Sequence, residues 1–196
     1  MHLTRRSTGN GVPFPLAWTF VRKIMTHWAV SNADILDAQS DGLVCSANPS
    51  LNLSGGVGGA ILLRHGNAIQ DFLHSYLRAK GIRIIAPGDV VVSPSCGTTF
   101  TTIAHAVAID TFYDTNTGLI LKTLKNAINQ LIAANCRTIV SACLGCGYGR
   151  CSIPEFASVV SQLIALDYNN VDTITFMTTN VELADAIAEV NGTAKS

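Results

Sequence analysis

The sequence contains little charge, and the charge it has is balanced. Only 13% of its 196 residues are charged, and 13 basic residues accompany 13 acidic ones, so the formal net charge is zero. Proteins that bind a nucleic-acid backbone need clustered lysine and arginine, and no basic stripe occurs here. Nucleic acid is therefore not expected as the main partner. A small phosphate-bearing ligand stays compatible with this composition, because backbone amides bind phosphate without a cationic side chain.

Long apolar runs are also missing. No stretch approaches the ~20 apolar residues that span a bilayer, so no membrane partner is expected. Arg5 and Arg6 precede an apolar stretch at residues 12–21 that loosely resembles a secretory signal, but it contains two prolines and lacks a small-residue cleavage site. We therefore expect a cytoplasmic protein. Residues 1–26 are interpreted as an N-terminal extension and residues 27–196 as a single domain of ordinary size.

The cysteines lack the neighbours that a metal site would need. Cys143 and Cys146 have the spacing of a zinc or redox pair, and Cys151 follows closely. A structural zinc site needs about four ligands, and the five histidines are scattered along the chain, away from these cysteines. Reduced, buried thiols are the commoner state in intracellular α/β chains. No metal and no cofactor are therefore expected.

Glycine is abundant in one short segment that follows a predicted strand. Four of the residues 55–59 are glycine, between a buried strand predicted at residues 43–47 and an amphipathic helical pattern at residues 57–79. Glycine lets a ligand approach the backbone, and the first N–H groups of a helix are unpaired. With the helix dipole, this arrangement predicts a phosphate or diphosphate site. The alternative is a turn that only lets the strand and helix pack closely.

A second glycine-rich segment, residues 144–149, follows another predicted strand at residues 138–142. Strands alternate with helices along the chain, which predicts a mostly parallel central sheet with helices on both faces. In such folds, ligands bind at the carboxyl ends of the strands, where both glycine-rich segments lie. A diphosphate held between the two segments is the natural interpretation.

The other elements follow from periodicity and end signals. A capping box from Ser152 to Glu155, with Pro154 in the first turn, announces a third helix. Further strands are predicted at residues 28–30, 89–93, 101–108 and 173–177, and further helices at residues 119–134 and 181–190.

Several of these segments resemble one protein family. Ser46-Ala-Asn48 with Ser54-Gly-Gly-Val-Gly-Gly-Ala-Ile61 resembles the Asn-Ala-Ala-Asn…Gly-Gly-Gly-Val-x-Gly-Ala-Ile signature of macrodomains, which bind ADP-ribose and its derivatives. Asn32-Ala-Asp34-Ile35 is similar to the family's Gly-Asp-Ile, and residues 103–107 to its Ile-His-x-Val strand. Residues 144–149 are similar to the family's second diphosphate loop. The resemblance covers about residues 28–190 and implies a three-layer α/β/α sandwich with a mixed, mostly parallel sheet.

The resemblance also implies roles for individual residues. Asp34 would accept a hydrogen bond from the adenine amino group, and Asn48 would bind the distal ribose and is the candidate catalytic residue. The implied ligand-binding residues are Asp34, Ile35, Asn48, Ser54, Gly55, Gly56, Val57, Gly58, Gly145, Cys146, Gly147, Tyr148 and Gly149. Each of three side chains also has a structural alternative: Asp34 as a helix N-cap, Asn48 as a turn residue before a proline, and Tyr148 as an aromatic plug of the core.

Two departures from the family pattern concern catalysis. The hydrolytic branch has an aspartate where this chain has Gly58, and the viral-type branch has a histidine where this chain has Leu53. Neither replacement can move a proton, and His105, in the middle of a predicted strand, is more typical of a core histidine.

Two functions stay open. The first is a non-catalytic reader of ADP-ribose or ADP-ribosylated protein. The second is an ADP-ribosyl hydrolase or O-acetyl-ADP-ribose deacetylase of low activity, which is slightly favoured because a pocket that orients the ribose already supplies positioning. A nucleotide-phosphate processing enzyme is a third interpretation.

Overall fold

The computed structural model describes residues 25–166 and 168–192. The strands are β1 (His27–Asn32), β2 (Gly42–Ser46), β3 (Val90–Pro94), β4 (Thr102–Ala106), β5 (Thr138–Ala142) and β6 (Thr173–Thr178). The helices are α1 (Gly56–His65), α2 (Ala68–Lys80), α3 (Thr117–Ala133), α4 (Ile153–Ile164) and α5 (Val181–Val190), and a 3-10 turn spans Ile35–Asp37. Within the described ranges, no helix is long and apolar enough to cross a membrane.

The six strands form one sheet in the order β1-β6-β5-β2-β4-β3. Neighbouring strands run parallel except β3, which pairs with β4 in the antiparallel direction. An antiparallel strand at the edge of an otherwise parallel sheet is common in α/β folds. Pro94, which has no N–H to donate, ends this edge strand, where a missing donor costs little. The predicted mixed, mostly parallel sheet is confirmed.

Two apolar cores cover the two faces of the sheet. Helices α3, α4 and α5 pack on one face, where Phe176 of β6 contacts Phe156 of α4 edge to face, with ring centroids 5.6 Å apart. Helices α1 and α2 pack on the other face, where Ile61 and Leu73 join Leu43 of β2 in the second core. The three-layer α/β/α arrangement is therefore confirmed.

The prediction of one continuous helix at residues 57–79 was wrong, because the structure has two helices there. Helix α1 ends at His65, and Gly66 adopts φ 73° and ψ −163°, a conformation that side chains with a Cβ rarely adopt. Helix α2 starts at Ala68, so the amphipathic pattern continues in a new direction. Gly81 ends α2 in the left-handed conformation, as predicted.

Asp41 joins the starts of three parallel strands through its carboxylate and its backbone carbonyl. Asp41 Oδ2 accepts hydrogen bonds from the backbone N–H groups of Arg137 and Thr138, at 2.8 and 2.9 Å. The Asp41 carbonyl accepts from the backbone N–H groups of Thr101 and Thr102, at 2.9 and 3.2 Å. These bonds fasten the starts of β4 and β5 to the start of β2, which lies between them.

The predicted N-terminal extension, residues 1–26, lies outside the described residues except for Met25 and Thr26. The division into an extension and one domain therefore stays a prediction. The capping box of α4 is confirmed, since the Glu155 carboxylate accepts from the backbone N–H of Ser152 at 2.8 Å and from its hydroxyl at 2.6 Å.

Candidate ligand-binding cavity

A cavity of about 660 Å³ opens at the carboxyl ends of the parallel strands. Its walls come from the segments that follow β1, β2, β4, β5 and β6, whose carboxyl ends lie at one edge because these strands are parallel. Its volume is in the range of small-molecule sites. Every residue that the family resemblance implied for ligand binding lines this cavity, from Asp34 to Gly149.

The first glycine-rich segment joins β2 to α1 at the cavity floor. Gly56 has a positive φ of 52°, and a Cβ added there would meet nothing within 4 Å. The backbone of Gly56 is therefore open to a ligand, and the first N–H groups of α1 have no acceptor within the helix. Gly58 differs, because it is buried and an added Cβ would lie 3.2 Å from Leu53 Cδ2. The two positions that depart from the family pattern thus pack against each other.

The glycines of the second segment have two different roles. A Cβ on Gly145 would come within 2.8 Å of Ile120 Cδ1, and one on Gly149 within 2.9 Å of the Gly145 carbonyl oxygen. Glycine is needed at both positions for close packing of the chain. Gly147 has open space where its Cβ would be, so the backbone there is accessible from the cavity it lines.

Tyr148 connects the two glycine-rich segments across the cavity. Its side chain is 69% exposed, which excludes the alternative of an aromatic plug in the core. Its hydroxyl oxygen lies 3.0 Å from the position that a Cβ on Gly55 would take. Its ring contacts Tyr113 edge to face, with centroids 6.0 Å apart. Tyr113 also lines the cavity and was not anticipated from the sequence.

The amide of Asn48 is fully used by the loop that follows β2. Its Nδ2 donates to the Asn52 carbonyl at 2.8 Å and to Ser54 Oγ at 3.4 Å. Its Oδ1 accepts from Ser50 Oγ at 2.9 Å and from the Asn52 backbone N–H at 3.1 Å. These four bonds match the two donors and two acceptor sites of an asparagine side chain. In this structure, Asn48 therefore acts as a turn residue before Pro49, which was its structural alternative.

Helix α2 braces the same loop through two polar side chains that sequence reasoning missed. Gln70 Oε1 accepts from the Leu53 N–H at 2.7 Å, and its Nε2 donates to the Leu51 carbonyl at 2.9 Å. His74 Nε2 lies 2.9 Å from Asn52 Oδ1, and Asn52 lines the cavity. Gln70 and His74 are four residues apart, so the sequence could have placed them on one side of the helix. It does not show which loop that side faces.

Asp34 lines the cavity at the start of the 3-10 turn. Its Oδ1 accepts from the Leu36 backbone N–H at 2.9 Å, so the residue is the N-cap of the 3-10 turn. Its Oδ2 forms an ion pair with Arg64 Nη2 at 2.6 Å. The N-cap alternative is thus correct in geometry, while the carboxylate also lines the cavity.

The wall beyond Asp34 comes from the end of β6 and the start of α5. Its lining residues are Met177, Thr178, Thr179, Asn180 and Leu183. Sequence reasoning missed this wall, although the rule that sites lie at the carboxyl ends of parallel strands applies to β6 as much as to β2 and β5.

The cavity is short of ionised and proton-transferring groups. Among the described residues that line it there is no lysine or arginine, and the single carboxylate is that of Asp34. Burial raises the pKa of the Cys143 thiol to about 12, and burial with the neighbouring Cys143 and Cys151 raises the pKa of Cys146 well above its usual value. Both thiols therefore stay protonated and unreactive at neutral pH.

The described cysteine and histidine side chains form no group that could hold a metal ion. All six cysteines are free thiols. Residues 25–166 and 168–192 contain no group of three or more His, Cys, Asp and Glu side chains placed to hold a metal ion. His105 is fully buried in β4, does not line the cavity, and pairs through Nε2 with Ser93 Oγ at 2.9 Å. It is a core histidine, as the sequence indicated.

Comparison with solved structures places this fold among known ones. The chain is similar to the Oceanobacillus iheyensis macrodomain with ADP, at 20% identity and a TM-score of 0.74, over 82% of this chain and 87% of that one. A point mutant of the same macrodomain with ADPR gives 19% identity and a TM-score of 0.73, over 83% and 89% of the two chains. The Trypanosoma brucei macrodomain in complex with ADP-ribose gives 18% and 0.64, over 83% and 68%.

No curated protein matches the chain. The family model described as Macro domain matches residues 44–160, which is more than half of the chain. The matched range runs from β2 to α4 and contains both glycine-rich segments. This chain therefore belongs to the macro domain family.

Proposed function

We propose that this chain binds ADP-ribose, free or attached to protein, and that it acts as a reader without hydrolysing the ligand. The observation that carries the proposal is the single cavity in which both glycine-rich segments, Asp34 and Tyr148 meet. The macrodomains of similar fold are described with ADP, ADPR or ADP-ribose. Those relatives share at most about a fifth of their residues with this chain, so the cavity itself is the main support for this function.

The diphosphate fits the two glycine-rich segments. The first turn of α1 offers unpaired N–H groups and the positive end of the helix dipole, and Gly56 leaves its backbone open. Gly147 opens the backbone of the facing segment in the same way. Because amides bind phosphate as neutral donors, the shortage of cations in the cavity does not oppose this role.

The adenine base fits the end of the cavity at the 3-10 turn. Asp34 has one hydrogen bond on each carboxylate oxygen, and each oxygen has a further acceptor site for an amino group. Ile35, Leu36 and Leu183, which also line the cavity, provide apolar surface for a flat ring. An acceptor beside an apolar surface favours a base that carries an exocyclic amine.

The geometry favours a reader over a hydrolase. Hydrolysis at the distal ribose needs a group that moves a proton, and Gly58 and Leu53 fill the positions where the hydrolytic branches carry one. The Asn48 amide, the candidate catalytic group, is already committed to four bonds within its own loop. The Asn48 amide could orient a ribose and a water only by breaking some of these bonds. The preformed positioning of the ribose, which favoured a weak hydrolase, is therefore missing at Asn48.

Calorimetric titration tests the binding. ADP-ribose is expected to bind with a dissociation constant on the order of micromolar, about −8 kcal/mol, and AMP more weakly because it lacks the distal phosphate and ribose. Gly56→Glu adds bulk and negative charge at the phosphate site, and it should weaken ADP-ribose binding at least about tenfold, about 1.4 kcal/mol. Equal affinity for AMP and ADP-ribose would show that the second segment takes no part.

Gly81→Glu is the matched control for Gly56→Glu. Gly81 also has a positive φ, 66°, with open space around its Cβ position, but it lies at the end of α2 outside the cavity. Both variants carry a similar backbone strain, roughly 1–2 kcal/mol, and the same added charge. Only Gly56→Glu should lose ligand. A parallel loss in Gly81→Glu would trace the effect to destabilisation instead.

A time course on mono-ADP-ribosylated protein separates reader from enzyme. The wild type is expected to release no ADP-ribose above background while it binds the modified protein. Asn48→Ala should then affect binding and stability alone. Release by the wild type that disappears in Asn48→Ala with binding retained would establish the hydrolase instead.

A further inference from the structure

Arg64 pairs with two carboxylates, the one that caps the 3-10 turn (Asp34) and the one that ends it (Asp37). Its Nη2 lies 2.6 Å from Asp34 Oδ2, and its Nη1 lies 2.6 Å from Asp37 Oδ1. A planar guanidinium that donates through both Nη atoms fixes two partners in one geometry, which a lysine cannot do. Asp37 does not line the cavity, whereas Asp34 does. Arg64 therefore anchors the cavity carboxylate to a second acid outside the cavity.

Helix α1 connects this ion pair to the phosphate end of the cavity. The helix starts at Gly56, in the first glycine-rich segment, and Arg64 lies in its last turn. Ten residues of α-helix span about 15 Å. One rigid element thus carries the first-turn N–H groups at its start and the partner of Asp34 at its end, so the distance between the two subsites is fixed by the helix.

The Asp34 carboxylate has one other constraint. The Leu36 N–H donates to Oδ1 at 2.9 Å. This single contact only partly restricts rotation of the side chain about its Cα–Cβ and Cβ–Cγ bonds. The second contact, from Arg64 to Oδ2, removes most of the remaining freedom. A preorganised acceptor loses less conformational entropy when a ligand amine binds to it.

We propose that Arg64 is a positioning residue that holds the Asp34 carboxylate for an exocyclic amine, and that it thereby sets the preference of the cavity for adenine over bases that lack this amine. The proposal rests on the proposed binding of ADP-ribose. Arg64 does not line the cavity, so it acts through Asp34 and makes no direct contact with the base.

The size of the effect follows from the exposure of the pair. The side chains of Arg64 and Asp34 are 41% and 40% exposed, so solvent screens their attraction. Removing an exposed ion pair changes an affinity by a factor of about five at most. We expect Arg64→Gln to weaken ADP-ribose binding by about two- to fivefold, a change that calorimetry resolves.

The test uses two ligands that differ only at the base. Inosine diphosphate ribose carries a carbonyl oxygen where ADP-ribose carries the amine, so the donor to Asp34 at that position is replaced by an acceptor, which a carboxylate repels. The ratio of the two affinities is measured in the wild type, Arg64→Gln, Arg64→Lys and Arg78→Gln. Arg78 is the matched control, because it is an exposed arginine of α2 whose described bond goes to Ser75 in the same helix.

The expected result is a fall of at least about twofold in the ratio for Arg64→Gln, with Arg64→Lys between it and the wild type, and an unchanged ratio for Arg78→Gln. In an Asp34→Ala background, Arg64→Gln should change the ratio no further, because the residue through which it acts is gone. A ratio within twofold of the wild type in Arg64→Gln overturns the proposal, as does an equal fall in Arg78→Gln.

The same titrations separate this inference from the function on which it rests. If the wild type binds neither ligand, the proposed function fails and the inference fails with it. If the wild type binds ADP-ribose and Arg64→Gln weakens both ligands equally, ADP-ribose binding stands and Arg64 has a structural role only. Thermal unfolding of each variant shows whether a general loss of stability accompanies the loss of affinity.

Discussion

Between about pH 7.5 and about pH 5, the largest pH effect on stability should come from the buried His105. Its Nε2 lies 2.9 Å from Ser93 Oγ, and its Nδ1 has no hydrogen-bond partner. Burial lowers the pKa of the imidazole from 6.5 to about 4. In the folded protein, His105 therefore stays neutral at pH values where the unfolded chain already binds a proton at this residue.

The sign and size of the effect follow from this difference. Above pH 6.5, protonation of His105 has little effect on the free energy of unfolding. That free energy declines as the pH falls from 6.5 toward 4, because the unfolded state takes up the proton first. The whole difference corresponds to about 3 kcal/mol, and the part lost between about pH 7.5 and about pH 5 is about 2 kcal/mol. Hydrogen bonds lower the pKa values of Asp41 and Glu155 below 3.8 and 4.5, so these carboxyls act at lower pH.

Urea unfolding at about pH 7.5 and about pH 5 measures the loss. His105→Gln removes the ionisable ring and keeps an amide for Ser93, so its stability should change by less than half as much as that of the wild type. Ser93→Ala is the control, because it keeps the imidazole buried and should keep the full pH dependence. A loss of about 2 kcal/mol in His105→Gln as well would refute the argument and assign the effect to other groups.

Two further predictions concern parts of the fold that support the cavity or the sheet. Gln70→Ala removes the partners of the Leu53 N–H and the Leu51 carbonyl, so it should lower the free energy of unfolding by about 1–3 kcal/mol in urea titration and weaken ADP-ribose binding. Asp41→Ala should cost about 1 kcal/mol near neutral pH, since water replaces part of its bonding. That cost should fade as the pH falls below 3.8, because the Thr138 and Arg137 N–H groups lower the pKa of Asp41 and its stabilisation is lost on protonation.

Local sequence signals were sufficient for most of the fold. Strand β5 and helix α5 have the predicted bounds, residues 138–142 and 181–190, because each shows a clear apolar pattern between clear end signals. The break at Gly66 was missed, since a lone glycine within a helical pattern is often tolerated and the apolar spacing continues past it. Whether such a glycine continues a helix or breaks it depends on how the two flanking segments pack, which the sequence does not show.

The cavity was predictable where it follows from the chain alone. Glycine-rich segments after two strands could be placed at one edge of a parallel sheet without any knowledge of side-chain contacts. The partners of Asp34 and Gln70 could not, because each bond joins residues whose proximity depends on how the helices pack. The partners of Asn48 lie in its own loop, whose conformation no regular pattern predicts. Sequence reasoning therefore placed the ligand-facing backbone, while the side chains that support it required the structure.

The shortage of cations in the cavity has a consequence for how a ligand would be captured. Sites that bind phosphate with lysine or arginine attract it over about 10 Å, and dissolved salt weakens that attraction. Among the described lining residues, neutral amides replace such cations, and dipoles act only at contact distance. Capture by this cavity would therefore depend on shape and hydrogen-bond geometry, and its affinity for a diphosphate would change little with ionic strength.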